Sequence, residues 1–329
     1  MMVGMVISAT ACDNADWGGV RMALVPPPVA QVGAAADSAA TEEEEGAFTL
    51  PTGPVLYAAT RDSAGVWLVP VGEVVGDSLA PFQDEKSAPG YRGAFARQLM
   101  EPGTRFTLFS AGARVGTFTV KKVGTDESFC APRPRAGGVV ELVPAASAAT
   151  RFLALPEQFT DSTDYEPYQP QVDDRTQRAA GIDLAAEVIP QIGAIWPSSM
   201  IEARGDLQAL LQADGAAAVS TTFLFRDQMR VQPAQASSYS LYLLATPEGE
   251  RYRTSYVWYR EAAREGKGAP RYFQHMDWDG DGKTEVLLEV LGERHRWNAV
   301  VQEKGGAWTR TFEDPCGGAA PKVQDRAAR

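Results

Sequence analysis

Short apolar runs separated by turn-forming residues fill the chain from residue 49 to residue 156. Val55–Thr60 and Val66–Val71 flank the turn Asp62–Gly65, which predicts a hairpin because Asp and Gly favour tight turns. The segment is therefore expected to form a small antiparallel β domain. Its other predicted strands are Arg105–Phe109, Val115–Val123, Val139–Val143 and Phe152–Leu155.

Two helices are predicted after residues 157–178, a segment without a sustained period that we interpret as a linker. The first helix has one apolar face and is expected to end at Pro190. That face consists of Ile182, Ala185, Ala186 and Ile189. The second helix is expected to begin at Ser199, which has the capping-box spacing to Glu202, and to end at Gly215. Its apolar stripe consists of Leu207, Leu210 and Leu211.

A meander of β-type runs follows the helices and completes an α+β domain at residues 179–316. No repeat of fixed period is present, so a complete propeller is not supported. The fold class predicted is mainly β, with a small antiparallel domain followed by a domain of two helices and an antiparallel meander. The predicted strands of the meander are Ala217–Phe225, Tyr239–Ala245, Arg251–Tyr259, Arg271–Met276, Glu285–Leu291, Arg294–Gln302 and Ala307–Phe312.

One acidic loop of the meander has a pattern that predicts metal binding. Residues 277–285 read D-x-D-G-D-G-x-x-E between two predicted strands. Alternating carboxylates place hard oxygen ligands on the inside of a tight turn, and the glycines supply the backbone angles that wrap it. The pattern predicts a calcium ion, because magnesium prefers a strict octahedron with several retained waters. The predicted ligands are the side chains of Asp277, Asp279 and Asp281, the carbonyl of Lys283, and Glu285 either directly or through water. A solvated Asp-Gly turn that binds no metal is the alternative.

The loop differs from an EF-hand, which would need Glu at position twelve, where Leu288 stands. It is similar to the calcium loops of FG-GAP and VCBS repeats, in which the same pattern bridges two strands of extracellular proteins. The resemblance covers about a dozen residues and occurs once in the chain. It implies a metal loop, for which a structural role is the default hypothesis.

The N-terminal segment is apolar up to Cys12, and the small residues Ala9, Thr10 and Ala11 precede that cysteine. It resembles a lipoprotein signal peptide, which implies that Cys12 becomes the lipidated N-terminus of an exported protein. Residues 13–48 are rich in Pro, Ala and Glu and are expected to be a solvated tether. The implied location is the cell envelope, facing the periplasm or the cell surface. An ordinary thiol at position 12 is the alternative.

Two further cysteines, Cys130 and Cys316, are an even pair in an oxidising compartment. A disulfide between them is one hypothesis, and two separate buried thiols are the other. Residues 317–329 are expected to be a disordered tail.

Composition limits the partners of the protein. The net charge of −11 argues against a nucleic-acid surface, which needs clustered Lys and Arg. No apolar stretch approaches the roughly 20 residues of a spanning helix, so contact with the membrane is expected through the lipid anchor alone.

Other chemistry-bearing residues have two interpretations each. His275 and His295 lie on either side of the acidic loop and could form a proton-transfer pair, although strand positions are the simpler interpretation. A set of aromatic residues could form a ligand face, although core packing is favoured. That set consists of Tyr252, Tyr256, Trp258, Tyr259, Trp297 and Trp308.

Three functional hypotheses remain from the sequence. The first is a non-catalytic scaffold or binding module whose protein or glycan ligand is unknown. The second is an extracytoplasmic hydrolase that uses two carboxylates, and the third is a solute- or glycan-binding component of the envelope.

Overall fold

A computed structural model describes residues 48–160, 167–169, 175–212 and 217–315 in full, and the backbone at 16–17 and 20–21. The chain divides into two compact units, Met1–Glu44 and Glu45–Arg329. In the first unit, β1 (Asp16–Trp17) pairs antiparallel with β2 (Val20–Arg21). Cys12, Cys316 and the tail at 317–329 lie outside the described residues, as does most of the tether at 13–48.

The first seven strands of the second unit form one sheet that closes on itself. Its order is β3-β9-β6-β7-β8-β4-β5, and β3 also pairs with β4, so six strands complete a barrel and β5 extends it from β4. The predicted hairpin at Asp62–Gly65 is confirmed, with Asp62 Oδ1 accepting hydrogen bonds from the Ala64 and Gly65 amides. The strands are β3 (Val55–Asp62), β4 (Gly65–Val75), β5 (Ser78–Ala80), β6 (Arg105–Ser110), β7 (Ala113–Asp126), β8 (Arg133–Leu142) and β9 (Arg151–Pro156).

Aromatic and aliphatic side chains fill the barrel, among them Tyr57, Phe106 and Phe118. The helix α1 (Tyr91–Leu99), which the sequence analysis did not predict, packs Phe95 against the ring of Tyr57 with ring centroids 6.5 Å apart. Gly138 is required where β8 crosses this core, because a Cβ there would lie 2.2 Å from the Thr119 carbonyl oxygen. Two short 3-10 turns, Pro144–Ala146 and Glu157–Phe159, flank β9.

The rest of the unit contains two four-stranded antiparallel sheets, β10-β11-β12-β13 and β14-β15-β16-β17. The predicted meander strands are confirmed, but the chain leaves one sheet after β13 and starts the other at β14. The strands are β10 (Arg204–Leu211), β11 (Ala217–Phe225), β12 (Tyr239–Glu248), β13 (Arg251–Glu261), β14 (Ala269–Met276), β15 (Glu285–Leu291), β16 (Arg296–Lys304) and β17 (Ala307–Glu313). The helices are α2 (Arg175–Gln191), α3 (Met200–Ala203) and α4 (Ala262–Glu265).

The first predicted helix is confirmed as α2, but it begins at Arg175, inside the predicted linker, and includes Pro190, where it was expected to end. The helix covers the sheet β10–β13 with its apolar face, which consists of Leu184, Ala185, Val188 and Ile189. The second predicted helix is wrong beyond its first turn. Ser199 caps α3 by accepting a hydrogen bond from the Glu202 amide, but α3 ends at Ala203. The apolar stripe Leu207, Leu210 and Leu211 belongs to β10, whose backbone pairs with β11 from Ala217 to Phe223.

The barrel and the sheet β14–β17 share one apolar cluster. Leu56, Val71 and Phe109 of the barrel pack with Phe273 and Leu287 of that sheet in this cluster. Polar contacts reinforce the junction: Gln274 Oε1 accepts from the Ala111 amide at 2.9 Å, and its Nε2 donates to Ser110 Oγ at 3.0 Å. The two predicted domains at 49–156 and 179–316 therefore contribute to a common core.

The observed architecture is mainly β with antiparallel sheets, as the sequence predicted. Among the described residues, no helix combines the length and apolarity that crossing a bilayer requires.

Candidate metal centre

The acidic loop connects the end of β14 to the start of β15. Met276 and Glu285, the residues on either side of the turn, face each other in the ladder between these strands. The two flanks are strands, as the resemblance to FG-GAP and VCBS loops implies. The loop is held at both ends by a regular hairpin.

Three carboxylates converge inside the loop. Ligand-capable oxygens of Asp277, Asp279 and Glu285 all lie within 4.8 Å of one another. Glu285 is 1% exposed, whereas the two aspartates are half-buried. Hard oxygens this close together could hold one divalent cation.

Backbone amides hold the carboxylates in place. Asp277 accepts from the Gly280 amide at 2.7 Å and from the Gly282 amide at 2.9 Å, and Glu285 Oε2 accepts from the Trp278 amide at 3.0 Å. Gly280 and Gly282 have φ angles of 79° and 82°, which a residue with a Cβ rarely adopts. The loop is thus wrapped around its own acidic side chains.

One oxygen of the group has no partner. Asp279 Oδ1 accepts from the Asp281 amide at 3.1 Å, but Asp279 Oδ2 is buried and makes no hydrogen bond with any described residue. No ion pair within the described part of the chain reaches Asp277, Asp279 or Glu285. A buried carboxylate oxygen without a donor or a cation is costly unless something else neutralises it.

Burial and mutual repulsion shift the acidity of the group. Desolvation, together with the charges of the neighbouring aspartates, raises the pKa of Glu285 to about 9. The pKa of Asp279 is also raised, first by burial and then by the charges of Asp281 and Asp277. In the absence of a cation, this centre therefore retains protons that ordinary carboxyl groups lose.

The other two predicted ligands lie at the rim of the loop. Asp281 is exposed, and its Oδ1 accepts a hydrogen bond from the Lys283 amide at 2.8 Å. Neither residue belongs to the group of three convergent carboxylates. Their role as ligands stays a prediction of the motif.

The loop also reaches into the core. Trp278, between the first two carboxylates, is 6% exposed and packs with Met276 in the apolar cluster that joins the barrel to the sheet β14–β17. The acidic loop is thereby anchored in the packing of that junction.

The histidines do not form a pair. His275 is buried in β14, where its Nδ1 lies 2.7 Å from the Tyr272 hydroxyl and its Nε2 lies 3.0 Å from the Leu211 carbonyl oxygen. Desolvation lowers the pKa of His275 to about 4, so the ring is neutral near pH 7. His295 is exposed in the loop after Leu291, at the opposite end of β15.

The aromatic set is used for packing. Trp258 and Trp297 are each 4% exposed and belong to one apolar cluster with Tyr256 and Trp308 beside them. Tyr252 and Tyr259 lie against the cluster under α2. Two of the six residues are in the core and the other four pack against it, so the packing interpretation of these residues is confirmed.

Cys130 takes part in a disulfide. Cys316 lies outside the described residues, so its pairing with Cys130 stays a prediction.

The sequence analysis missed a second charged cluster. Arg296 binds Asp126 at 2.9 Å and Glu289 at 2.6 Å, and Arg271 also pairs with Glu289. A signal was available: Glu289 interrupts the otherwise apolar strand EVLLEVL, and a carboxylate buried there needs a cationic partner. Its partners could not be named, because Asp126 and Arg296 are distant in the chain.

Asp126 and Glu289 are buried and line one cavity together with the exposed Asp62, which makes them candidates for the two carboxylates of the hydrolase hypothesis. Burial alone would raise the pKa of each group, but hydrogen bonds from Ser128 to Asp126 and arginine charges at Glu289 outweigh it and lower both pKa values. Neither group keeps the proton that a general acid donates. Asp126 and Glu289 are therefore members of an ion-pair network with Arg296 and Arg271.

Comparison with family models, with curated proteins and with solved structures found no match for this chain.

Proposed function

We propose that this chain is an exported, lipid-anchored β protein whose loop at residues 277–285 binds one structural calcium ion. The observation that carries the proposal is the buried Asp279 Oδ2, which has no hydrogen-bond partner among the described residues and belongs to the group of three convergent carboxylates. A calcium ion supplies the positive charge that no described side chain supplies there.

The chemistry of the ligands favours calcium. All are hard oxygens on a flexible turn, and the motif adds the Asp281 carboxylate and the Lys283 carbonyl from the rim. Calcium accepts six to eight such ligands in irregular geometry, whereas magnesium demands a regular octahedron and keeps its waters. Extracellular calcium is abundant, so a site of roughly 10⁻⁴–10⁻³ M affinity would be occupied outside the cell.

The role of the ion is structural in this proposal. It fixes the turn that joins β14 to β15 and cancels the aspartate repulsion that, together with burial, raises the pKa of Glu285. Through Trp278 and Met276 it also stiffens the junction between the barrel and the sheet β14–β17. The protein then acts as a scaffold or binding module of the cell envelope.

Calcium should stabilise the folded protein, because it binds the folded loop and not the open chain. At 100 times its dissociation constant the expected gain is about 2.7 kcal/mol, read as a rise in Tm between EDTA and saturating calcium. Asp279→Asn should remove this gain and leave the metal-free Tm unchanged or slightly higher, since one repelling charge is lost.

The matched control is Glu293→Gln, an exposed carboxylate in the loop at the other end of β15. It removes the same charge from the same sheet and should keep the full calcium response. A wild-type protein without a calcium-dependent Tm shift, or an Asp279→Asn variant that retains it, would contradict the proposal.

The anchor is supported by the sequence alone, through the small residues before Cys12 and the solvated composition of residues 13–48. Protein isolated from its native membrane should begin at Cys12 and carry the mass of a diacylglycerol group. Cys12→Ala should abolish that mass and release the protein from the membrane fraction. An intact, unlipidated chain that begins before Cys12 would overturn this part of the proposal.

A further inference from the structure

A cavity of about 260 Å³ lies between the barrel and the sheet β14–β17. The barrel contributes Trp67 from β4 and Arg135 from β8, and the sheet contributes Glu289 and Asn298 from β15 and β16. The cavity is separate from the acidic loop, whose residues do not line it.

The acceptors around this cavity are already used. Asp126 accepts from the Ser128 amide at 2.9 Å, from the Ser128 hydroxyl and from Arg296. Glu289 accepts from Arg271 and Arg296. A ligand therefore finds few free acceptors for its own donors.

Three donors that line the cavity are not used. Trp67 Nε1, Arg135 Nε and Asn298 Nδ2 are buried and have no hydrogen-bond partner among the described residues. All three residues line this one cavity. Buried donors without partners are rare in folded proteins, and three around one space indicate a missing acceptor.

Two cationic side chains lie over the ring of Trp67. The Arg135 guanidinium lies 3.7 Å from the ring centroid, and the Lys122 ammonium lies 4.9 Å from it. Because these cations lie over the ring, Trp67 offers a ligand its indole N–H rather than a stacking surface. Recognition in this cavity thus depends on hydrogen-bond donors and on the charge of Arg135.

We propose that this cavity binds the carboxylate of a small oxygen-rich molecule, with Arg135 and Trp67 donating to the carboxylate and Asn298 donating to a second acceptor. A single negative charge fits better than the double charge of a phosphate, because Asp62, Asp126 and Glu289 also line the cavity. The volume limits the ligand to metabolite size.

The test uses matched pairs of an acid and its uncharged counterpart: glucuronate with glucose, benzoate with benzamide, and N-acetylglycine with its amide. Each is titrated into the full-length protein up to about 10 mM while the indole N–H resonances are followed by NMR. Trp67→Phe assigns the Trp67 resonance. At least one acid should shift it, and the uncharged partner should shift it far less.

Arg135→Gln should weaken binding of that acid about ten-fold or more, because a charge-assisted hydrogen bond is lost. Arg114→Gln, an exposed arginine on β7 of the same barrel, removes the same charge and should leave affinity unchanged. An unchanged Tm would show that Arg135→Gln is folded, and the wild-type indole shift tests the site even if that variant is not.

Three results would overturn the proposal: no acid moves the Trp67 resonance, acids and uncharged partners bind equally, or inorganic phosphate binds more tightly than every acid. Equal loss of affinity in Arg135→Gln and Arg114→Gln would also overturn it, because the effect would then come from overall charge.

Discussion

Two buried glutamates on β15 have opposite surroundings. Glu285 and Glu289 are 1% and 3% exposed and, since side chains alternate along a strand, they point to the same face. Glu285 has two aspartates beside it, which help burial to raise its pKa to about 9. Glu289 has Arg271 and Arg296, whose charges outweigh burial and lower its pKa. Both glutamates are buried, so their neighbours decide whether the carboxyl group favours its charged form or its protonated form.

The largest expected effect on stability comes from removing the carboxylate of Glu289, whose charge is already neutralised by two arginines. Glu289→Gln leaves Arg271 and Arg296 without their shared carboxylate and should lower the free energy of unfolding by about 3 kcal/mol. Glu285→Gln, which has the shape of the protonated acid, should leave metal-free stability unchanged or higher near pH 8. Urea unfolding in EDTA measures both. Equal losses in the two variants would refute the contrast.

The same contrast predicts opposite pH dependences. The pKa of Glu285 is raised from 4.5 to about 9. The proton on Glu285 therefore stabilises the metal-free fold to its full extent below pH 4.5, and this stabilisation is lost as pH rises towards 9. The pKa of Glu289 is lowered, so its contribution is present above the ordinary value and is lost as pH falls through the lowered one.

Unfolding in EDTA between pH 4 and 9 tests this prediction. Glu285→Gln should flatten the decline of stability at high pH, and Glu289→Gln should flatten the decline at low pH. Calcium affinity should rise as pH increases from 4.5 to about 9, because the ion must displace the proton of Glu285. A calcium affinity independent of pH would show that Glu285 is already ionised.

The smallest effect is expected at the rim of the loop. Asp281 is exposed, so Asp281→Asn should change metal-free stability by less than about 0.5 kcal/mol. Calcium affinity should nevertheless fall, because the motif assigns Asp281 as a ligand. Calorimetric titration checks this, and an unchanged dissociation constant would restrict the ligand set to the three convergent carboxylates.

Local patterns predicted much of this molecule. The bounds of β11 and β15 match their predicted runs, and the acidic loop could be read directly because its candidate ligands lie within nine consecutive residues. The loop needs no distant residue to form its carboxylate group.

Features that depend on distant pairing were not predictable. Leu207, Leu210 and Leu211 fit a helical face, yet Arg204–Leu211 becomes β10 because β11 offers a backbone ladder that the local spacing does not reveal. The cavity combines Trp67, Arg135 and Asn298 from three strands of two sheets, and no spacing along the chain connects them.

The closed barrel has a consequence for the order in which the chain can fold. β3 pairs with β4 as a local hairpin. The other edge of β3 pairs with β9, and all the other barrel strands lie between β3 and β9 in the chain. Contacts between such distant segments form slowly, because the entropy of closing a long loop is lost before the contacts are gained. Until β9 arrives, the β3 edge stays open to pairing with other chains. A newly made chain therefore has an unpaired barrel edge until β9 is in place.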